Sequence, residues 1–100
     1  MFLQMNIDEN ALQSVKDYPM QVGKLYNTNY VYLRDNDQEL IFQYNAEPKA
    51  GITFVVLTEP MQYCEKHSKL ISYRIKVLTT DGIIGWMHPV YFKKCRLIES

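Results

Sequence analysis

YRIKVLTTDGIIGWMHPVYF, residues 73–92, is the stretch that decides how this chain is read. It holds the single tryptophan, an Asp-Gly pair and the clearest apolar/polar alternation in the sequence. Both central residues of a type I′ turn need positive φ, which Asp and Gly tolerate, so Asp81-Gly82 between two apolar runs predicts a β-hairpin. With these two as the loop, Thr80 faces Ile83, Thr79 faces Ile84, Val77 faces Trp86 and Ile75 faces His88. Alternation then puts Tyr73, Ile75, Val77, Ile84, Trp86 and Val90 on a dry face, and Arg74, Lys76 and Thr80 on a wet one. Trp86 is expected to be a core anchor.

Outward from the hairpin, the preceding chain reads as further short strands. Gln21 to Tyr26 is one candidate. Tyr30 to Asp35 (YVYLRD) alternates, with Val31 and Leu33 opposite Tyr30, Tyr32 and Arg34. Leu40 to Tyr44 follows a polar turn, and a loop with Pro and Gly leads to Ile52–Thr58 (ITFVVLT). That run is rich in β-branched residues at both parities, so it predicts a strand covered on both sides. Glu59 to Lys69 lacks a useful period and reads as a long loop. Only the lead differs: Ile7, Ala11, Leu12, Val15 and Tyr18 recur at helical spacing, Asn6 with Glu9 has the form of a capping box, and Pro19 is a stop. Short strands with short connections and no long helix indicate an antiparallel sheet or barrel. Closure would also hide the edges of so small a sheet.

One hundred residues suit one domain. A hydrophobic share of 47% against 22% charged residues is that of a globular chain, too apolar for a disordered one. Net charge is zero, yet residues 1–50 carry four Lys/Arg against seven Asp/Glu, and residues 51–100 the reverse, seven against four. That balance argues against a general nucleic-acid coat and leaves Lys93, Lys94 and Arg96 as a local basic patch, which on the plainer reading is solvated. The N-terminus lacks the basic and apolar regions of a signal peptide, so Cys64 and Cys95 are expected to be free thiols in a reducing compartment. No run approaches the ~18 apolar residues of a membrane span. A soluble, cytoplasmic protein without membrane contact is the expectation.

Three pieces resemble the bacterial SH3-like (SH3b-type) domain family. Val31-Tyr32-Leu33-Arg34 resembles its first strand, and Gly51 with Phe54 and Val56 resembles its glycine-started strand. Val77, Gly82, Gly85-Trp86-Met87 and Tyr91-Phe92 resemble its closing hairpin and final turn. The resemblance covers residues 23 to 97. It departs where Asp35-Asn36-Asp37 replaces a Gly-Pro-Gly loop, at Met87 after the tryptophan, and in the long loop at residues 59 to 71. It implies a mainly β fold: a small antiparallel SH3-like barrel of five to six short strands, residues 23–100, after a helical lead, residues 1–22. It also implies an interaction module. Cell-wall peptide binding is one role of the family, and similar lone barrels are common among tailed-phage proteins, where the host cytoplasm would be the compartment and a host protein the target.

Catalytic and metal chemistry find little support in the residue pattern. Zinc would need Cys64, His67, His88 and Cys95 to converge, and neither pair has a familiar structural-zinc spacing. Cys64 with His67 or His88 lacks any group marked to orient a base. Asp35, Asp37 and Glu39 lack the twelve-residue calcium-loop pattern. No catalytic residue, metal ligand or cofactor is assigned, and the expectation is a non-enzymatic chain.

Eight tyrosines in a hundred residues stand out. Tyrosine gives large contact area at low entropic cost and is enriched at binding surfaces. Tyr26, Tyr30, Tyr32, Tyr63 and Tyr91 are therefore the candidate partner-binding residues, against the plainer reading that the rings pack beneath the helix or the long loop. A protein partner is the leading expectation. The alternatives are a nucleic-acid-binding barrel using Lys93, Lys94 and Arg96 with aromatic stacking, cell-wall peptide binding, and self-association through the tyrosine face.

Overall fold

A computed structural model describes residues 6–28, 30–34, 39–44, 52–64 and 69–98, with 30–34 and 39–44 described by their backbone pairing. Helix α1 (Glu9–Asp17) comes first. It is followed by β1 (Leu25–Thr28), β2 (Tyr30–Arg34), β3 (Glu39–Tyr44), β4 (Ile52–Val56), β5 (Met61–Cys64), β6 (Ile71–Thr79) and β7 (Ile84–Met87). A 3₁₀ turn (Pro89–Lys94) then leads into β8 (Cys95–Leu97). The protein is mainly β with one short helix.

The strands pair in the order β2-β3-β7-β6-β4-β1-β8, with β5 added to the first half of β6. Six of the seven ladders are antiparallel, and β3 runs parallel to β7 through Glu39–Trp86 and Leu40–Met87. The mainly β, largely antiparallel sheet with a short helix is as expected, but the expected closure into a barrel is corrected. Among the described residues there are eight strands, one ladder is parallel, and β2 and β8 stand at opposite ends of the path without pairing, so the barrel is not closed. Part of the added strand count comes from residues 59–69, expected as loop. Met61–Cys64 lacks apolar alternation, but its backbone pairs with Ile71–Arg74, and pairing partners rather than pattern make it a strand.

The hairpin forms at the expected place with a different register. Leu78 faces Ile84, Val77 faces Gly85, Lys76 faces Trp86 and Ile75 faces Met87. The loop has three residues, Thr80-Asp81-Gly82. Gly82 N–H donates to Thr79 O at 2.9 Å, Thr79 N–H donates to Ile83 O at 2.8 Å, and Gly82 sits at φ 90°. This is a type I turn followed by a left-handed glycine, the three-residue alternative to the two-residue I′ loop. Thr79 Oγ1 reinforces it by bonding Asp81 and by accepting from Ile83 N–H at 3.0 Å. One extra loop residue shifts the pairing by one, and a one-residue shift exchanges faces. Met87 is therefore fully buried. Trp86, expected as a core anchor, lies half-buried on the opposite face with its ring 5.5 Å from Lys76 Nζ.

The core is the inner face of this sheet: Tyr26, Phe54, Val56, Ile75, Val77 and Met87, with Met20 and Phe92 from the flanking turns. Each such side chain contributes about 1.5–3 kcal/mol through removal from water. β4 alternates, with Phe54 and Val56 buried and Val55 half-buried, so only one of its faces is fully covered, in place of the two expected. The helix is shorter than its stripe suggests. Asp8, not Asn6, is the N-cap, accepting from Ala11 N–H at 3.1 Å. Asn6 and Asp8 exchange backbone bonds with Ile71, which draws Ile7 out of the helix into a parallel bridge. Ala11 is buried, Val15 packs against the core, and α1 lies on the 3₁₀ turn and β6.

Candidate protein-binding face

The outer face of the sheet follows from the same registers. Leu25 pairs with Val55, Val55 with Leu78, and Leu78 with Ile84. On the other side of β1, Ile98 N–H donates to Leu25 O at 2.9 Å, extending the β1–β8 ladder by one step. Five apolar residues, Ile98, Leu25, Val55, Leu78 and Ile84, thus stand side by side across five neighbouring strands. At about 4.8 Å between strands the row is roughly 19 Å long. Ile98 is 43% exposed, Leu25 44% and Ile84 42%, and Val55 and Leu78 are half-buried between them.

A second row runs beside it, Leu57, Lys76 and Trp86, with Leu57 N–H donating to Lys76 O at 2.8 Å. Lys76 extends over the indole in a cation–π contact. A third row on the other flank is polar: Arg96, Asn27, Thr53 and Thr80. Asn27 Nδ2 donates to Ile52 O at 3.2 Å and Thr53 Oγ1 at 3.1 Å, fixing this border. The face thus carries a continuous apolar row, with Leu57 and Trp86 beside it on one flank and polar groups on the other.

Beneath α1 lies a different arrangement, a buried polar knot. Asp8 Oδ2 accepts from Ser72 Oγ at 3.0 Å and lies 3.0 Å from His88 Nε2. Ser72 Oγ accepts in turn from Arg74 Nη1 at 2.8 Å, and Arg74 also donates to Tyr73 O at 2.9 Å and stacks 4.6 Å from the Tyr63 ring centre. His88 Nδ1 accepts from Val90 N–H at 2.9 Å, so Nε2 carries the proton that points at Asp8. Burial raises the Asp8 pKa, but the bonds from Ala11 N–H, His88 and Ser72 outweigh it, leaving the carboxyl below its ordinary 3.8. Although serine, histidine and aspartate meet here, both others bond the carboxylate. The serine hydroxyl is directed at Asp8, not at an imidazole nitrogen able to take its proton, and Ser72 is fully buried. The knot fastens the helix to the sheet.

The sequence-predicted residues are dispersed. Tyr26 is a core residue, 5% exposed, stacked on Phe54 at 6.0 Å with its hydroxyl accepting from Gln21 N–H. It offers no contact surface, because β1 alternation turns it inward beside Thr28 while Leu25 faces out. Tyr63 is half-buried against Arg74, and Tyr91 is half-buried on the core with its ring edge toward His88 at 6.5 Å. Tyr30 and Tyr32 lie on β2, paired with Tyr44 and Phe42, and their side chains lie outside the described residues. Lys93 and Lys94 are exposed in the last turn of the 3₁₀ segment, and Arg96 on β8. Cys64 is exposed and His67 lies outside the described residues. Cys95 is half-buried, its thiol donating to Tyr91 O at 3.4 Å and pushed up to about 12, first by burial, with a bond to Thr28 opposing. Among the described residues no three His, Cys, Asp or Glu side chains cluster, and no helix is long and apolar enough to cross a membrane.

Sequence reasoning missed the apolar row itself. Its signal was available in ITFVVL and in Val77-Leu78, where apolar residues occupy both parities of a strand: the second parity forms this outer face. Comparison with protein-family models finds no match, and comparisons with curated proteins and with solved structures likewise find none.

Proposed function

We propose that this chain is a small, non-enzymatic SH3-like interaction module that binds a protein partner through the outer face of its sheet. The observation that carries the reading is the in-register row Ile98-Leu25-Val55-Leu78-Ile84, three of whose members are more than 40% exposed. An apolar strip of this length, continuous across five strands and adjoining Trp86, is costly to leave in water unless something covers it. The SH3-like comparison draws support from a helical turn between β7 and β8 at Tyr91-Phe92, where the resemblance has its final turn. The reading rests on this row and not on the tyrosines, because Tyr26 is interior, Tyr63 is engaged by Arg74, and the side chains of Tyr30 and Tyr32 lie outside the described residues. A phage-encoded modulator of a host protein is one setting in which a lone module of this kind would act.

The test is affinity capture from an extract of the source cells, comparing the wild-type chain with a Leu25→Glu/Ile84→Glu double variant. Both sites are exposed enough to accept glutamate without unfolding, which circular dichroism checks. Proteins retained by the wild type and lost by the variant are the expected result. An identical set on both baits rejects the face. The basic residues Lys93, Lys94 and Arg96 favour a second reading, nucleic-acid binding, which retention of nucleic acid on both baits, lost steeply with salt, would reveal.

A further inference from the structure

Resting on the reading of the outer face as a protein-contact surface, we infer that its partner is an amphipathic α-helix whose apolar stripe is flanked by carboxylates. Three features of the face point to this occupant. The row runs across five paired strands, and a helix of about thirteen residues, rising ~1.5 Å each, matches its ~19 Å length. A strand added at an edge would instead engage the backbone of β2 or β8 and leave this row uncovered. The apolar row ends at Asn27 and Thr53 on one flank, and on the other Leu57 and Trp86 widen it around Lys76, a width that suits the apolar stripe of one amphipathic helix.

Charge selects the kind of helix. Among the described side chains of β1, β4, β6, β7 and β8, the accessible charged residues on this face are Lys76 and Arg96, one in each flanking row, with Lys24 just before Leu25. Arg74, two residues from Lys76 on the same side of β6, is buried against Ser72 and Tyr63. Position Glu39 follows Trp86 in register on β3, at the far end of the second row. The acidic groups described elsewhere belong to α1 and its cap (Asp8, Glu9, Asp17), to the segment after Leu57 (Glu59) and to the hairpin loop (Asp81). A helix bearing Glu or Asp on both sides of its stripe would place carboxylates within reach of Arg96 and Lys76 together. Two copies of this face would confront cations with cations. The chain's own α1 is no candidate either, since its apolar side is committed to the core through Ala11 and Val15.

Trp86 is the only tryptophan and adjoins the row, so its fluorescence reads the site directly. The probes are two tryptophan-free fifteen-residue helical peptides with the same leucine stripe, one flanked by glutamate and one by lysine, and a fifteen-nucleotide oligothymidine. The glutamate peptide should shift Trp86 emission saturably and bind at least tenfold more tightly than the lysine peptide at 50 mM salt, with the gap closing at 0.5 M. A Lys76→Glu/Arg96→Glu variant should reverse the preference. Equal binding of the two peptides, binding of neither, an unreversed preference, or a response to oligothymidine alone overturns the helix assignment. The source-extract comparison with Leu25→Glu/Ile84→Glu is independent of these peptides. A partner lost there while no peptide binds rejects only the occupant, whereas peptide binding that survives Leu25→Glu/Ile84→Glu rejects the face.

Discussion

Asp8 Oδ2 and His88 Nε2 lie 3.0 Å apart, joining the cap of α1 to the cap of the 3₁₀ turn eighty residues later. One carboxylate thus ties α1 to the last turn before β8. Its two oxygens serve Ala11 N–H, Ser72 Oγ and His88.

Asp8→Asn retains an oxygen for the cap but brings an amide N–H₂ against groups that donate to the carboxylate. A loss of about 1–3 kcal/mol is expected at pH 7, read as the urea midpoint. The folded-state pKa of Asp8 is lowered: burial raises it, and the bonds from Ala11, His88 and Ser72 more than offset that rise. A lowered pKa stabilises the fold above the unfolded value near 3.8, and that contribution is lost as pH falls through the folded value. The gap between wild type and Asp8→Asn should therefore be full at pH 6 and shrink as pH falls below 3.8 and through the folded value. A gap constant across that range would contradict the wiring.

Trp86 and Met87 test the hairpin register as a pair. Glutamine has nearly the volume of methionine, so Met87→Gln chiefly puts an amide into the core, at a fully buried site. It should cost about 3 kcal/mol or more in chemical denaturation. Trp86→Gln, on the half-exposed face, loses one ring contact with Lys76 and should cost about 1–2 kcal/mol. The two-residue loop register would reverse the order.

That comparison also marks what could be read from the chain itself. The Asp81-Gly82 turn, the alternation of YVYLR and the ITFVV strand are local signals, and they locate β2, β4 and β6 to within a residue or two. By contrast β7, expected to carry Val90 on the dry face, ends at Met87 before the 3₁₀ turn, where Val90 is exposed. Register is not local. Types I′ and I-plus-bulge both suit Asp-Gly, and the choice turns on whether Thr79 or Thr80 closes the loop, which here follows the Thr79 hydroxyl bonds to Asp81 and Ile83. β5 and the Asp8 cap escaped for a related reason. Both depend on β6, through pairing of Met61–Cys64 and through Ile71 and Ser72, partners far away in sequence. The candidate site inherited the register error, because a shift by one decides whether Trp86 or Met87 faces the core.

Gly82 closes the three-residue loop at φ 90°, and a Cβ there would meet nothing within 4 Å. The cost of Gly82→Ala is then purely backbone strain, about 1–2 kcal/mol. Gly82→Asn should cost less, since asparagine enters the left-handed region more readily. Urea titration of the two variants checks this, and an alanine variant as stable as wild type would mean a different turn.

The two thiols should separate cleanly by reactivity. Cys64 is exposed on β5, whereas Cys95 donates to Tyr91 O and is pushed up to about 12, mainly by burial. Only the thiolate is an effective nucleophile, so at pH 8 the Cys95 thiol is inert on two counts, charge and access. Intact-mass analysis after iodoacetamide treatment should show one adduct per chain under native conditions and two in 8 M urea. Peptide mapping should place the native adduct on Cys64. Because Cys95 lies opposite Thr28 at the start of the β1–β8 ladder, its rate of modification in sub-denaturing urea would follow the opening of that ladder. Faster labelling of Cys95 in the Asp8→Asn variant would show that the knot beneath α1 also holds β8 in place. An unchanged rate would confine the knot's effect to the helix.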